Sequence, residues 1–267
     1  MKRIGTLLIV STLLVSGCNS RYGTQITNVK HYGQCYAPIA ELRAAEEKTD
    51  QTVVGAAVGG AILGALAGAA IDSKNRGRGA LIGAVGGAVV GAGAGYAVAK
   101  HREIQEDRAR FASYFSDMDA DMQNATGVQL AANNARKCYE SSFKAAVADF
   151  KAKRISRAEF EEKYTETKNG LTEATTILGS AITGLQEKET AYQEALNYEA
   201  QQAGKRPRTP TKKVALKQQP PATLDGFAIK NQQLTTQREN AQRERDEMNA
   251  SLARLDKEVS DLMGETA

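Results

Sequence analysis

Residues 53–99 constrain this chain more than any other stretch. They read VVGAAVGGAILGALAGAAI, then DSKNRGR, then GALIGAVGGAVVGAGAGYAVA. Gly60, Gly64 and Gly68 are four apart, and Gly55 and Gly59 make a further pair. Gly79, Gly83, Gly87, Gly91 and Gly95 continue the same spacing in the second half. Positions four apart stack on one face of a helix. Each half therefore carries a smooth glycine groove, with Val, Ile and Leu on its other faces. In water each glycine costs such a helix roughly 1 kcal/mol against alanine. In lipid the backbone must bond to itself, so the helix is enforced, and the glycines let two backbones approach closely. The alternative is a flexible Gly/Ala linker, which needs neither the regular spacing nor the fully apolar residues between.

Length agrees with a membrane hairpin. Residues 53–71 and 79–99 carry no charge, and about 20 residues cross the hydrocarbon core. Residues 72–78 hold Lys74, Arg76 and Arg78 against Asp72. A connector this short is a tight return, so both flanks emerge on one side.

The chain opens with Lys2-Arg3, an apolar run over 4–15, and Leu14-Val15-Ser16-Gly17-Cys18. The run is of signal-peptide length, too short to span a bilayer. Small residues followed by Cys resemble the lipobox of bacterial lipoproteins. That resemblance implies a signal peptide over 1–17, cleavage before Cys18, lipid on its thiol and an acyl chain such as palmitate on its new amine. Asn19 stands where an Asp would favour retention at the inner membrane, so the outer membrane is expected, with the inner membrane as the alternative. Lipobox and zipper together resemble the glycine-zipper outer-membrane lipoproteins, the group with the 17-kDa surface antigens and SlyB-like proteins. The resemblance ends near residue 100, because those lipoproteins lack long helices after the zipper.

Three Cys are present. With Cys18 lipidated, Cys35 and Cys138 remain as an even pair in an oxidising compartment. They flank the hairpin on the same side, so a disulfide is expected; two separate buried thiols are the alternative. Closing a loop of this length is worth at most roughly 4–5 kcal/mol in the chain-entropy picture. No metal is expected: His31 and His101 are the only histidines, and no paired Cys spacing exists.

The remainder reads as helix, giving an all-α chain. Residues 18–52 are a polar tether followed by a short helix. Past residue 100, Ile104, Phe111, Phe115, Met118 and Met122 extend the second membrane helix outward, and Asn124-Ala125-Thr126-Gly127 reads as a break. Tyr139, Phe143, Val147 and Phe150 share one face of the next helix. Ser156 with Glu159 is a capping box that opens a helix from Arg157 to about Ala200. In that helix Tyr164, Leu171, Leu178, Leu185 and Tyr192 repeat every seven residues. Phe227, Leu234, Ala241, Met248, Leu255 and Leu262 do the same over 225–263. The companions Asn231, Arg238 and Arg245 are polar, so an autonomous coiled coil is weak, and pairing with the Tyr164–Tyr192 face is the natural solution. Residues 201–224 hold Gly204, four Pro and several Lys and Arg, an extended linker. Its basic run over 205–217 could touch anionic headgroups, or simply be solvated.

Several functions lack any signal. Net charge is +4, falling to +2 when Lys2 and Arg3 leave, too balanced for nucleic acid. Gly91, Gly93 and Gly95 sit in the apolar block without a phosphate-binding Lys. Ser141 and Ser142 have no nucleophile-elbow context. The pairs Glu161/Glu162 and Asp119/Asp121 fall on charged helical faces and read as solvated. No enzyme activity, cofactor or small-molecule substrate is expected. The expected role is a lipid-anchored protein that organises an envelope assembly. Its partners would be membrane lipid and either further copies of the chain, as a homo-oligomer, or an envelope protein complex. The runner-up is a subunit of an oligomeric pore or export machine, and a wall-acting enzyme is remote.

The zipper makes a prediction of its own. Replacing Gly83 and Gly87 by Leu raises apolarity and helix propensity, so a simple anchor inserts at least as well. A packed zipper is instead pried apart, because lipid tails, as apolar as Leu, give no hydrophobic drive to restore the contact. The double variant should stay membrane-bound and lose its crosslinked oligomer bands; unchanged bands would rule out the contact.

Overall fold

Two seven-residue apolar repeats and one capping box account for most of the architecture. We describe residues 22–52, 93–204 and 222–265 of a computed structural model. These residues form five helices and no strand: α1 (Gly33–Thr52), α2 (Gly93–Glu103), α3 (Asp107–Lys151), α4 (Arg157–Gln202) and α5 (Leu224–Glu265). None of these helices is long and apolar enough to cross a membrane. Residues 53–92, the bulk of the expected hairpin, lie outside the described residues, as do 1–21 and the basic run of the linker.

The turn between α3 and α4 sets the first pairing. Ser156 is the N-cap of α4, and its hydroxyl accepts from the Glu159 amide at 3.2 Å. Lys153 takes the left-handed conformation (φ 56°), and the Arg154 amide donates back to the Asp149 carbonyl at 2.8 Å. A reversal this tight lays α4 antiparallel along α3. Leu171, Leu178, Leu185 and Tyr192 of the repeat are buried, and Tyr164 packs at the core's edge. On α3, Tyr139, Phe143 and Val147 are buried.

α5 returns along both. All six members of its repeat, from Phe227 to Leu262, are buried. The polar companions find partners across the interfaces. Toward α4, Arg238 meets Glu189 at 3.0 Å and Asn231 donates to Gln193 at 3.3 Å. Lys168 meets Asp256 at 2.8 Å, so this pairing is antiparallel. Toward α3, Lys230 pairs with Asp119, Gln237 donates to Thr126, Asn133 donates to Glu244 and Ser251 donates to Glu140. Each partner pair is 111 residues apart and each rung is seven beyond the last, so α3 and α5 run parallel in heptad register.

Three local expectations are corrected. The chain does not break at Asn124–Gly127; α3 runs through it. Ala125 and Val128 are buried there, and Thr126 donates back to the Met122 carbonyl at 2.8 Å, so packing outweighs the propensity cost of one glycine. The helix after the zipper does not continue outward as one piece. It stops at Glu103, and Arg110 donates to the freed carbonyls of Ile104 and Gln105 (2.9 and 3.4 Å). Finally, the apolar block enters the bundle before Ala99: Tyr96 and Ala97 are buried.

α1 and α2 lie on the side of the α3–α4 pair opposite α5. The rings of Tyr114 and Tyr192 sit between Tyr96 of α2 (centroids 5.5 and 6.0 Å) and Phe227 of α5 (4.7 and 6.4 Å). α1 meets α3 at Cys138 and Ser142, and α2 meets it at Asp117 and Ser113.

One glycine is required by packing. A Cβ on Gly170 would lie 2.3 Å from Cζ of Tyr139, a ring with no exposure. Gly170→Ala should lower stability by about 1–3 kcal/mol through overpacking. Gly127, where a Cβ meets nothing within 4 Å, should gain about 1 kcal/mol on changing to Ala. Denaturant melts of the two variants check both signs.

Candidate functional site

The places where the bundle grips the chain on either side of the glycine zipper are the best candidates for function. Residues 22–32 are non-helical, and their amides need acceptors. Two carboxylates seven residues apart on α4 supply them. Glu173 accepts from the Ile26 and Thr27 amides at 2.7 and 2.6 Å. Glu166 accepts from the amides of Lys30, His31 and Tyr32 at 3.1, 2.8 and 2.8 Å. Those three amides lie just before Gly33, so Glu166 caps α1 from another helix and faces the positive end of its dipole. The segment read as a tether is thus docked, with Tyr22 and Thr27 buried.

Glu173 has further partners. Tyr36 donates to it at 2.9 Å and Arg43 at 2.8 Å, while Arg43 also holds the carbonyls of Gly23 and Tyr22. Burial by itself would raise the Glu173 carboxyl; the hydrogen bonds from Thr27, Ile26 and Tyr36 outweigh it and hold the group below its ordinary value. Three residues into α1, Cys35 and Cys138 form a disulfide, with Cα atoms 5.2 Å apart.

The return junction is built from charges too. Tyr96 donates to Asp117, and Lys100 meets the same carboxylate at 2.8 Å. Arg110 is buried and forks onto Glu199 at 2.7 and 2.9 Å, and Tyr114 donates to Glu199 at 3.1 Å. Beside this pair a cleft of about 760 Å³ opens between His101, Asp107, Phe111 and Thr223. Deeper in, Asp121 accepts from Tyr192 at 2.7 Å and stands 3.4 Å from Lys188. Burial pushes the Asp121 carboxyl up, and Lys188 and Tyr192 pull it back. Among the described residues no group of three or more His, Cys, Asp or Glu side chains is arranged to hold a metal ion.

Some of these residues escape a reading of the sequence. Asp119 and Asp121 read as solvated, yet Asp121 is buried and Asp119 pairs with Lys230. Glu162 is exposed as expected and takes salt bridges from Lys30 and His31. Glu166 and Glu173 look like ordinary helical surface. One faint signal exists: Glu173 has no basic residue three or four positions away along α4, so its charge has no partner on its own helix.

Residues 1–99 match the YMGG-like Gly-zipper family. The match does not extend to residues 100–267. No curated protein and no solved structure matches the chain. A glycine-zipper segment of this kind fits a membrane-associated protein of the cell envelope. Cys18 and the zipper glycines Gly55, Gly59, Gly60, Gly64, Gly68, Gly79, Gly83, Gly87 and Gly91 lie outside the described residues. Gly95 lies within α2.

The carboxylate clasp responds to acid in a defined direction. The folded Glu173 value sits below its ordinary 4.5. Its contribution is therefore complete above that value and is lost as pH falls through the lower folded one. Hydrogen exchange at the Ile26 and Thr27 amides should accelerate on acidification below the ordinary glutamate value of 4.5, beyond the intrinsic trend, while amides at the α3–α4 turn stay protected. Glu173→Gln should show the accelerated rate at neutral pH. Equal protection in both proteins would show that the clasp does not hold the segment.

Proposed function

We propose that this protein is a lipid-anchored structural component of the bacterial envelope. It is acylated at Cys18 and packed into a membrane through its glycine zipper, in the outer membrane with the helical bundle in the periplasm. The bundle organises a membrane-associated assembly, through its own copies or with other envelope proteins.

One observation carries this reading: the chain leaving Cys18 is locked onto the bundle within a few residues. Tyr22, the Glu166 and Glu173 clasps and the Cys35–Cys138 bridge fix it before the zipper begins. Lipid attachment and zipper are thus coupled to one rigid body and not hung on a loose leash. A scaffold needs that coupling, because force or position at the membrane then reaches the whole bundle. Among the described residues the buried carboxylates are all engaged with groups of their own chain: Glu166 and Glu173 with the N-terminal segment, Glu199 with Arg110, Asp121 with Lys188, Glu244 with Arg136 and Asn133. That use is structural rather than catalytic.

Cys18→Ser should accumulate as an uncleaved precursor and drop out of the outer-membrane fraction. Its crosslinked partners, identified by mass spectrometry in the parent strain, should be lost with it. A variant that matures and fractionates like the parent would sink the anchor, and with it the assembly role assigned here.

A further inference from the structure

We infer that the bundle lies on its side against the membrane, with residues 22–44 as the face in contact with lipid headgroups. This rests on the lipid anchor and membrane zipper proposed above; the structure adds where on the bundle those attachments leave.

Both leave from the long side, not from an end. Ser113, Asp117, Cys138 and Ser142 form one stripe of α3, and α1 and α2 lie along it as two pieces of a discontinuous helix antiparallel to α3. The 21 residues from Asp117 to Cys138 span about 32 Å. α1 packs on the bundle from Cys35 to Leu42 and extends about 26 Å from Cys35 to Thr52, and α2 reaches about 5 Å from Tyr96 back to Gly93. The chain therefore departs at Thr52 and returns at Gly93 at nearly the same level, about 20 Å in from the start of α3. The N-terminal attachment sits toward the other end. Tyr22 is held through Arg43 and Glu173, close to the level of Gly170 and Tyr139 and about 20 Å in from the α3–α4 turn.

The leash decides the orientation. Cys18 stands four residues before Tyr22, a reach of at most about 14 Å. With the α3–α4 turn down on the membrane, Tyr22 would be about 20 Å above it; with the opposite end down, about 46 Å. Neither is within reach, whereas a bundle lying on its side puts Tyr22 and both zipper junctions next to the bilayer together.

The surface chemistry points to the same side. Ile26 and Val29 are 49% and 38% exposed. Val29 abuts Gly33 at the start of α1, whose outward residues include Gln34, Ala37, Ala40, Glu41 and Ala44. From Tyr22 to Ala44, Glu41 is the one acidic residue, against Lys30 and Arg43. The outer side of α5, by contrast, exposes Arg243, Asp246, Glu247, Arg254, Lys257 and Glu258. A face with Lys30, Glu41 and Arg43 as its full charges and two exposed aliphatic side chains suits the headgroup boundary better than the densely charged α5 face.

The chain has no Trp, so a single introduced Trp reports alone. The full-length acylated protein, reconstituted into phospholipid vesicles, would carry Val29→Trp, Ile26→Trp or Ala44→Trp, with Ala250→Trp on exposed α5 as the reference. Bromination near the headgroup end of the lipid chains should remove roughly half or more of the emission of the first three, as for side chains held at the interface, and leave Ala250→Trp unchanged. Emission from position 29 no more quenched than from position 250, in protein that floats with the vesicles, overturns the orientation while the attachments stand. Shielding of positions 26 and 29 from both bromolipid and aqueous iodide overturns it too, in favour of a protein covering that face. Protein that fails to float removes the membrane attachments themselves, and the orientation falls with them.

Discussion

The bundle depends on α4, which packs against α3, α5 and the N-terminal segment at once. Its apolar repeat faces α3 and α5, Gly170 admits the ring of Tyr139, and Glu166 and Glu173 face the N-terminal segment. The helix keeps a polar outer face (Glu161, Glu162, Thr176, Thr183, Glu187, Glu194), yet Glu166, Thr167, Glu173, Lys188 and Glu199 are buried. Each buried charge must then be met from another element, because an unpaired charge at such a site costs several kcal/mol (about 3–5). α3, α1 and the N-terminal segment meet those demands.

The same requirement fixes register. Apolar heptads alone tolerate slipping by seven residues, since every layer resembles the next. The rungs between α3 and α5 differ from layer to layer: Lys230–Asp119, Gln237–Thr126, Glu244–Asn133, Ser251–Glu140. A slip would set Lys230 against Thr126 and leave Asp119 unpaired. Polar companions that weaken a coiled coil therefore select one alignment of α5. The buried pairs Arg110–Glu199 and Asp121–Lys188 do so for α3 and α4. Such pairs add little net stability against apolar replacements; their use here is to exclude other arrangements.

The clasps tie the two flanks of the glycine zipper to the bundle. α5 covers one side of the α3–α4 pair. The pair's opposite side is occupied by α1 and α2, the two pieces of chain that bracket the glycine zipper, and each is fixed by a charged contact or a covalent bond. The family match covers this first third and stops where the long helices begin. The segment that fits a membrane and the bundle that holds it are thus distinct in sequence, yet joined along the length of α3 and not by a hinge.

Read alone, the sequence settled the local and periodic features. The all-helical class, the α4 start at Ser156 and the two heptad stripes follow from capping and from seven-residue apolar spacing, which act over a few turns and need no knowledge of the partner. The choice of Cys35 and Cys138 as the remaining pair follows from counting once Cys18 is assigned to lipid. Tertiary structure decided what depends on distant residues. Asn124–Gly127 stays helical because Ala125 and Val128 are packed. Asp121 is buried because Lys188 and Tyr192 come from another helix. Residues 22–32 are docked because two carboxylates 136 and 146 residues away accept their amides. A carboxylate on a helix looks the same in sequence whether water or a backbone amide solvates it. Only the packing of α4 against the N-terminal segment removes the water and leaves the amides as its partners.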